Sequence, residues 1–196
     1  WALIAEVTYP ITNNTGLSII TFAHIFANGN ILFADHTKCY LSTNNLSTFA
    51  EVVPKDINGN NFTPGTLNNF RPWIYCSPII DETEIVVWGN YPINGTAPKN
   101  VWYTKDNGAT IKSCWLSGVT LSPSYAVIVR HIHAVNFNSS DNSFWMQTGD
   151  GTDACYWIKG IFDIEADSWT WTIIAGDNDG GSSASTNNTY YKTSGM

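Results

Sequence analysis

One pattern constrains this 196-residue chain more than any other: the same order of four short apolar strands, separated by turn residues, occurs three times. The first pass runs FAHIFA (22–27), a tight turn at Asn28-Gly29, ILFAD (31–35), CYLS (39–42) and FAEVV (49–53). The second runs PWIYC (72–76), EIVVWG (84–89), VWYT (101–104) and IKSCW (111–115). The third runs HIHAV (131–135), SFWMQT (143–148), CYWIKG (155–160) and SWTWTII (168–174). Arg71 and Arg130 stand at matching points 59 residues apart, a period lengthened by loops such as Tyr91 to Asn100.

A four-stranded sheet cannot bury both of its faces alone, so units of this kind must stack. Radial stacking around an axis leaves only short, protected edges, and this predicts an all-β chain built as a β-propeller of four-stranded antiparallel blades. The blades fall at approximately 20–53, 71–117 and 128–175 of a single propeller segment covering 1–196. Trp1-Ala-Leu-Ile-Ala resembles the fourth strand around Trp171, and Tyr190-Tyr191-Lys192-Thr193 resembles a first strand, so flanking strands are expected at 1–9 and 189–196. Three full blades plus two strands make an incomplete ring, since closure takes four or more. Composition agrees: 43% hydrophobic and 14% aromatic residues supply ample surface to bury, and 13% charged residues leave little for solvated helices.

A formal net charge of -7 excludes nucleic acid and anionic membrane as partners, because both require a basic surface. No stretch approaches the roughly 20 apolar residues of a spanning helix, so membrane insertion is not expected. Cys39, Cys76, Cys114 and Cys155 show no paired spacing, which reads as buried free thiols rather than a zinc or redox motif. Glycosylation sequons at Asn13, Asn45, Asn61, Asn94, Asn138 and Asn187 are compatible with an extracellular location, whether secreted, on a cell surface or on a virion.

The turn between the third and fourth strands of the second unit, Thr104-Lys105-Asp106-Asn107-Gly108-Ala109-Thr110-Ile111, resembles the Asp-box of sialidase-like propellers, S/T-x-D-x-G-x-T-W/F. It departs from that pattern only at the last, aromatic position. The resemblance implies a structural hairpin in which Thr104, Asp106, Gly108 and Thr110 hold the turn. Ser42 to Phe49 is a degenerate copy with Asn44 for the Asp and Leu46 for the Gly, and Asp163 to Trp169 is a vestige. Sialidases of this family hold the substrate carboxylate with three arginines, whereas this chain has two in all. Phe70-Arg71-Pro72 only partly matches the family's arginine signature. A complete sialidase site therefore does not lie within these residues.

Candidate site residues follow from the repeat. Arg71 and Arg130 open the first strands of neighbouring units and would meet at one rim, where paired guanidinium groups suit a carboxylate or sulfate. The ordinary alternative is that each pairs with a local carboxylate. His131 and His133 lie two apart on one strand and share a face, with His24 at the matching site of the first unit. Residues lining a wet channel are their commoner role, and no third ligand at metal spacing accompanies them. Thr148 to Asp153 and Asp177 to Gly181 read as glycine-rich loops. Most tryptophans fill space between blades, while Trp73 and Trp88, beside Arg71, are candidates to stack on a sugar.

These features predict an extracellular propeller that recognises a glycan or protein through its channel rim, without evident catalysis and with no cofactor. The alternative is part of a glycoside hydrolase or polysaccharide lyase whose site is completed by blades from a longer chain or another subunit. Fold alone does not separate the two.

Overall fold

The computed structural model describes residues 20–35, 38–62, 70–91, 98–121, 129, 131–149 and 155–176, and along 70–74 it describes the backbone alone. The expected flanking strands at 1–9 and 189–196 lie outside the described residues. Among the described residues there is no helix. The first unit is an antiparallel sheet of β1 (Phe22–Ile25), β2 (Ile31–Ala34), β3 (Cys39–Ser42) and β4 (Ala50–Val52), in chain order. The second begins with β5 (Phe70–Cys76), which a small hairpin of β6 (Ile79–Ile80) and β7 (Thr83–Glu84) separates from β8 (Val86–Asn90), β9 (Asn100–Thr104) and β10 (Lys112–Leu116). The third is β11 (His131–Asn138), β12 (Ser143–Gly149), β13 (Tyr156–Asp163) and β14 (Ser168–Gly176).

The strand order read from the sequence is therefore observed three times, and the hairpin β6–β7 is an addition. Residues 84–89 read as one apolar strand, but Glu84 pairs with Ile79 and the main strand starts only at Val86. The hairpin turns at Asp81 and Glu82, both at positive φ (46° and 61°), where Glu82 stands in place of the glycine that would complete an Asp-Gly turn signal.

Alternation along the middle strands decides the packing. Val86 and Trp88 on β8, with Trp102 on β9, join Phe22, Phe26, Leu32 and Cys39 of the first sheet in one apolar cluster. Val87, Val101 and Tyr103 point the other way and join Ile132, Phe144, Met146 and Ile158 of the third sheet in a second cluster. The second sheet is thus buried on both faces, and all five residues of β8 are inaccessible to water. The first strands keep step as the sheets stack, with β1 beside β5 and β5 beside β11. Cys39, Cys114 and Cys155 are buried and Cys76 is half-buried. Burial pushes the Cys76 thiol up to about 12.

The turn from Thr104 to Ile111 follows β9. Asp106 accepts from the Thr110 amide (2.9 Å) and from the hydroxyls of Thr110 (2.7 Å) and Thr104 (2.9 Å), while Thr104 Oγ1 accepts from the buried Gly108 amide (3.2 Å). Gly108 has φ 86°, and a Cβ there would stand 2.9 Å from Leu41 and 3.0 Å from Phe26, so glycine is required for dihedral and space alike. Ile111 fills the missing aromatic position and is fully buried. The degenerate turn reproduces the same bonds: Leu46 N to Ser42 Oγ (2.9 Å), Thr48 N to Asn44 Oδ1 (2.9 Å) and Ser42 Oγ to Asn44 Oδ1 (3.2 Å). Asn45 and Asn107 take nearly equal φ, 55° and 54°. The vestige at Asp163 is a different, shorter turn in which Asp163 accepts from Ala166 N (2.8 Å).

These turns also tie the sheets together at one end. Asn30 Nδ2 donates to Asn107 O (3.1 Å), and Lys105 Nζ donates to Ile164 O (2.8 Å). Asp167, at φ 51°, receives Tyr103 Oη (3.0 Å) and lies against Lys105 (3.3 Å) and Lys112. Burial alone would raise the Asp167 carboxyl, but donors from Lys112, Tyr103 and Lys105 outweigh it and hold it below the ordinary range.

Two outcomes follow. Thr104→Val orphans the buried Gly108 amide and should cost about 1–3 kcal/mol in chemical denaturation, whereas Asp106→Ala exposes a surface amide to water and should cost about 0.5–1.5 kcal/mol. Equal costs would contradict this division. Asp167→Asn tolerates the positive φ but loses the charge. Because the folded carboxyl is depressed, its contribution is complete above the unfolded value of about 4 and fades as pH falls through the lower folded value. The variant should be about 1–2 kcal/mol less stable than wild type at pH 7, and the gap should close in melts towards pH 3.

Candidate functional site

Antiparallel order gives each sheet two unlike ends. One carries the turns between first and second strands and between third and fourth strands, bonded as described. The other collects the starts of β5 and β11 and the ends of β8 and β12, and the longest connections in the sequence depart from it, 53–69 and 117–130. Long connections carried on rigid strands are where binding groups concentrate.

At this second end Tyr91, just past β8, stacks on His131 with ring centroids 4.0 Å apart and planes 22° apart. His133 flanks both rings, 5.9 Å from Tyr91 and 6.2 Å from His131. His131 is buried and His133 half-buried. The histidines share a face, but the strand between them is not regular. Ile132 pairs with Thr148 and Ala134 with Gln147, leaving His133 as the extra residue of a β-bulge. Opposite stands Gly149, paired with His131, where a Cβ would come 3.1 Å from His133 Cε1. The connection leaving β8 is braced from below: Asn90 Nδ2 donates to Pro98 O (2.8 Å), Asn90 Oδ1 accepts from Asn100 N, and Ser113 Oγ donates to Asn100 Oδ1 (2.8 Å).

Arg71 and Trp73 lie on β5, whose register with β8 shifts between Phe70, opposite Asn90, and Tyr75, opposite Trp88. That register sets the backbone of Arg71 next to the strand end that carries Tyr91. Arg130, the residues 150–153 and the loop from Asp177 to Gly181 lie outside the described residues. Thr148 is buried and accepts from Tyr156 N (2.9 Å), a bond that holds β12 to β13.

Two sequence-level candidates stand elsewhere. Trp88 is fully buried and stacks on Phe22 (5.1 Å, 19°) between the first two sheets, so it has no face for a ligand. Being near Arg71 in sequence did not reveal which way its side chain alternates. His24 does not join the other histidines: its Nε2 lies 2.8 Å from Glu84 Oε1, and Glu84 Oε2 accepts from Ala27 N (3.0 Å). The added hairpin thereby braces the first sheet. Tyr91 and Gly149 were not found from sequence, because one read as a loop aromatic and the other as a turn glycine. Among the described residues no group of three or more histidine, cysteine or carboxylate side chains is placed to hold a metal ion.

No protein-family profile matches the chain, and no curated protein matches it.

Trp88→Ala should cost about 3–5 kcal/mol, the scale of an emptied aromatic site in a core. Denaturant titration measures it, and a cost under 1 kcal/mol would show that the site collapses freely or that Trp88 is not a core residue.

Proposed function

We propose that the chain is a segment of an Asp-box β-propeller, displayed outside the cell or on a virion, that recognises a glycan through the rim carrying Arg71, Tyr91, His131 and His133. The observation that carries this reading is the cluster of three rings, Tyr91, His131 and His133, at the end of the sheets where β5 begins at Phe70, beside Arg71. Flat rings offer a stacking surface for a sugar, and guanidinium and imidazole groups offer donors to its hydroxyls or carboxylate. The propeller reading is supported by first strands that keep step through three stacked sheets, and by two turns with one hydrogen-bond pattern. Trp73 and Arg130 belong to the same proposed rim by their places in the repeat. Remaining blades, from a longer chain or another subunit, would complete the channel.

Arginine carries the test. Arg71→Ala and Arg130→Ala should each weaken binding of a uronic- or sialic-acid oligosaccharide by roughly 10- to 100-fold in calorimetric titration, the scale of a lost charge-assisted hydrogen bond. Thr104→Val, at the opposite end, should leave affinity unchanged in the folded protein. Wild-type affinity in both arginine variants would remove them from the site, and cleavage of the oligosaccharide during titration would favour the glycosidase or lyase alternative.

A further inference from the structure

In each of the three sheets the last strand in the chain lies at an edge, and the three edges are built differently. β4 is only three residues long, carries Glu51 and runs on to Pro54, all features that discourage a further strand from pairing. β10 carries Lys112 and is covered. Lys55 pairs with it in parallel, its amide donating to Ile111 O (2.8 Å) and its carbonyl accepting from Ser113 N (2.8 Å). β14 has neither kind of protection. Its nine residues contain no charge and no proline, and among the described residues β13 is the one strand that pairs with it. That pairing is regular over 168–173, and a bulge at Ile174 then interrupts it. On its other edge the regular stretch leaves backbone donors and acceptors that no described segment meets. Thr170 and Thr172 are exposed on one face of the strand, while Trp169, Trp171 and Ile173 turn into the core on the other.

We infer that β14 is a self-association edge: two copies of the chain pair their 168–173 stretches antiparallel across a two-fold axis, joining two four-stranded sheets into one. A second copy is the occupant that the strand itself specifies. An axis normal to the sheet keeps every residue on its own face, so with the axis at Thr170 or Trp171 the exposed hydroxyl side chains meet hydroxyl side chains. Two copies of net charge -7 repel each other, and β14 is an edge that brings no charge to the seam. The seam uses each copy's edge once, so the assembly closes at two. Since β14 and β11 are opposite edges of their sheet, the pairing does not involve the rings of Tyr91, His131 and His133.

Sedimentation velocity on the full chain over about 1–200 µM tests this, because a seam of one strand pair is small for a stable interface and implies micromolar dissociation. Wild type should pass from monomer to dimer across that range. Thr170→Lys with Thr172→Lys, and Thr170→Glu with Thr172→Glu, change exposed side chains, and thermal melts check that both variants fold. Each should stay monomeric, because like charges then face one another across the seam, and an equimolar mixture of the two should restore the dimer. Hydrogen exchange of wild type needs no variant: amides on the free edge of β14 should exchange about tenfold more slowly in concentrated than in dilute protein. A monomer at every concentration, a dimer that persists in both charged variants, a mixture that stays monomeric, or growth beyond two copies would overturn the pairing. So would β14 amides protected equally at every concentration, which would assign the edge to another segment of the same chain. Should either charged variant fail to fold, the exchange measurement alone decides.

Discussion

The rest of the structure depends on a sheet with no face left for water, because Val86, Trp88 and Trp102 project into the first sheet while Val87, Val101 and Tyr103 project into the third. A strand half-exposed to solvent alternates apolar and polar residues, but β8 and β9 must be apolar on both sides, and Asn100 and Thr104 are buried among them. Several of the polar groups that come inside are bonded: Asn90 holds the chain at Pro98 and Asn100, Ser113 donates to Asn100, and Thr104 satisfies a glycine amide. With both faces of one sheet committed, the neighbouring sheets have little freedom in how they are placed. Each must match a surface whose knobs are tryptophans.

Stacking sheets with their strands in step separates two kinds of work. At one end the tight turns bond to one another across sheets, through Asn30 to Asn107, Lys105 to Ile164 and the donors around Asp167. That end holds the stack together. At the other end, where β5 and β11 start and β8 and β12 stop, the rings belong to Tyr91, His131 and His133. A rim group placed on the ends of packed strands inherits the rigidity of the core without adding to it. Substitutions at the bonded end should therefore be felt as stability and, under the proposed function, those at the ring cluster as binding.

The repeat was legible because strand, turn and strand each leave a local mark: alternating apolar residues, Asn-Gly and Asp-Asn-Gly turns, and a fixed order. The degenerate turn shows the limit of reading such marks. Asn44 and Leu46 look like losses of the pattern, yet Asn44 keeps the accepting oxygen and Leu46 adopts φ 63°, so the bonds survive the change in letters. The hairpin β6–β7 went unread for the converse reason, since Asp81 and Glu82 make the turn without a glycine. Trp88 reads as a rim candidate from its place beside Arg71, whereas His24 lies on the first strand as read but bonds to Glu84. Each is directed by the sheet face it occupies, Trp88 into the first sheet and His24 onto Glu84.

The sequence by itself determined the class of secondary structure, the order of the four main strands in each unit, and the chemistry of the Asn-Gly and Asp-Asn-Gly turns, because each depends on residues a few positions apart. Only the tertiary structure decided which tryptophans are core, which histidine meets Tyr91 and why Gly149 has no side chain. Those facts depend on groups from different sheets, or on opposite sides of a bulge, coming within a few ångströms. Gly149 and His133 stand sixteen positions apart in the chain, and nothing local to either one indicates that a ring of the second fills the space above the first.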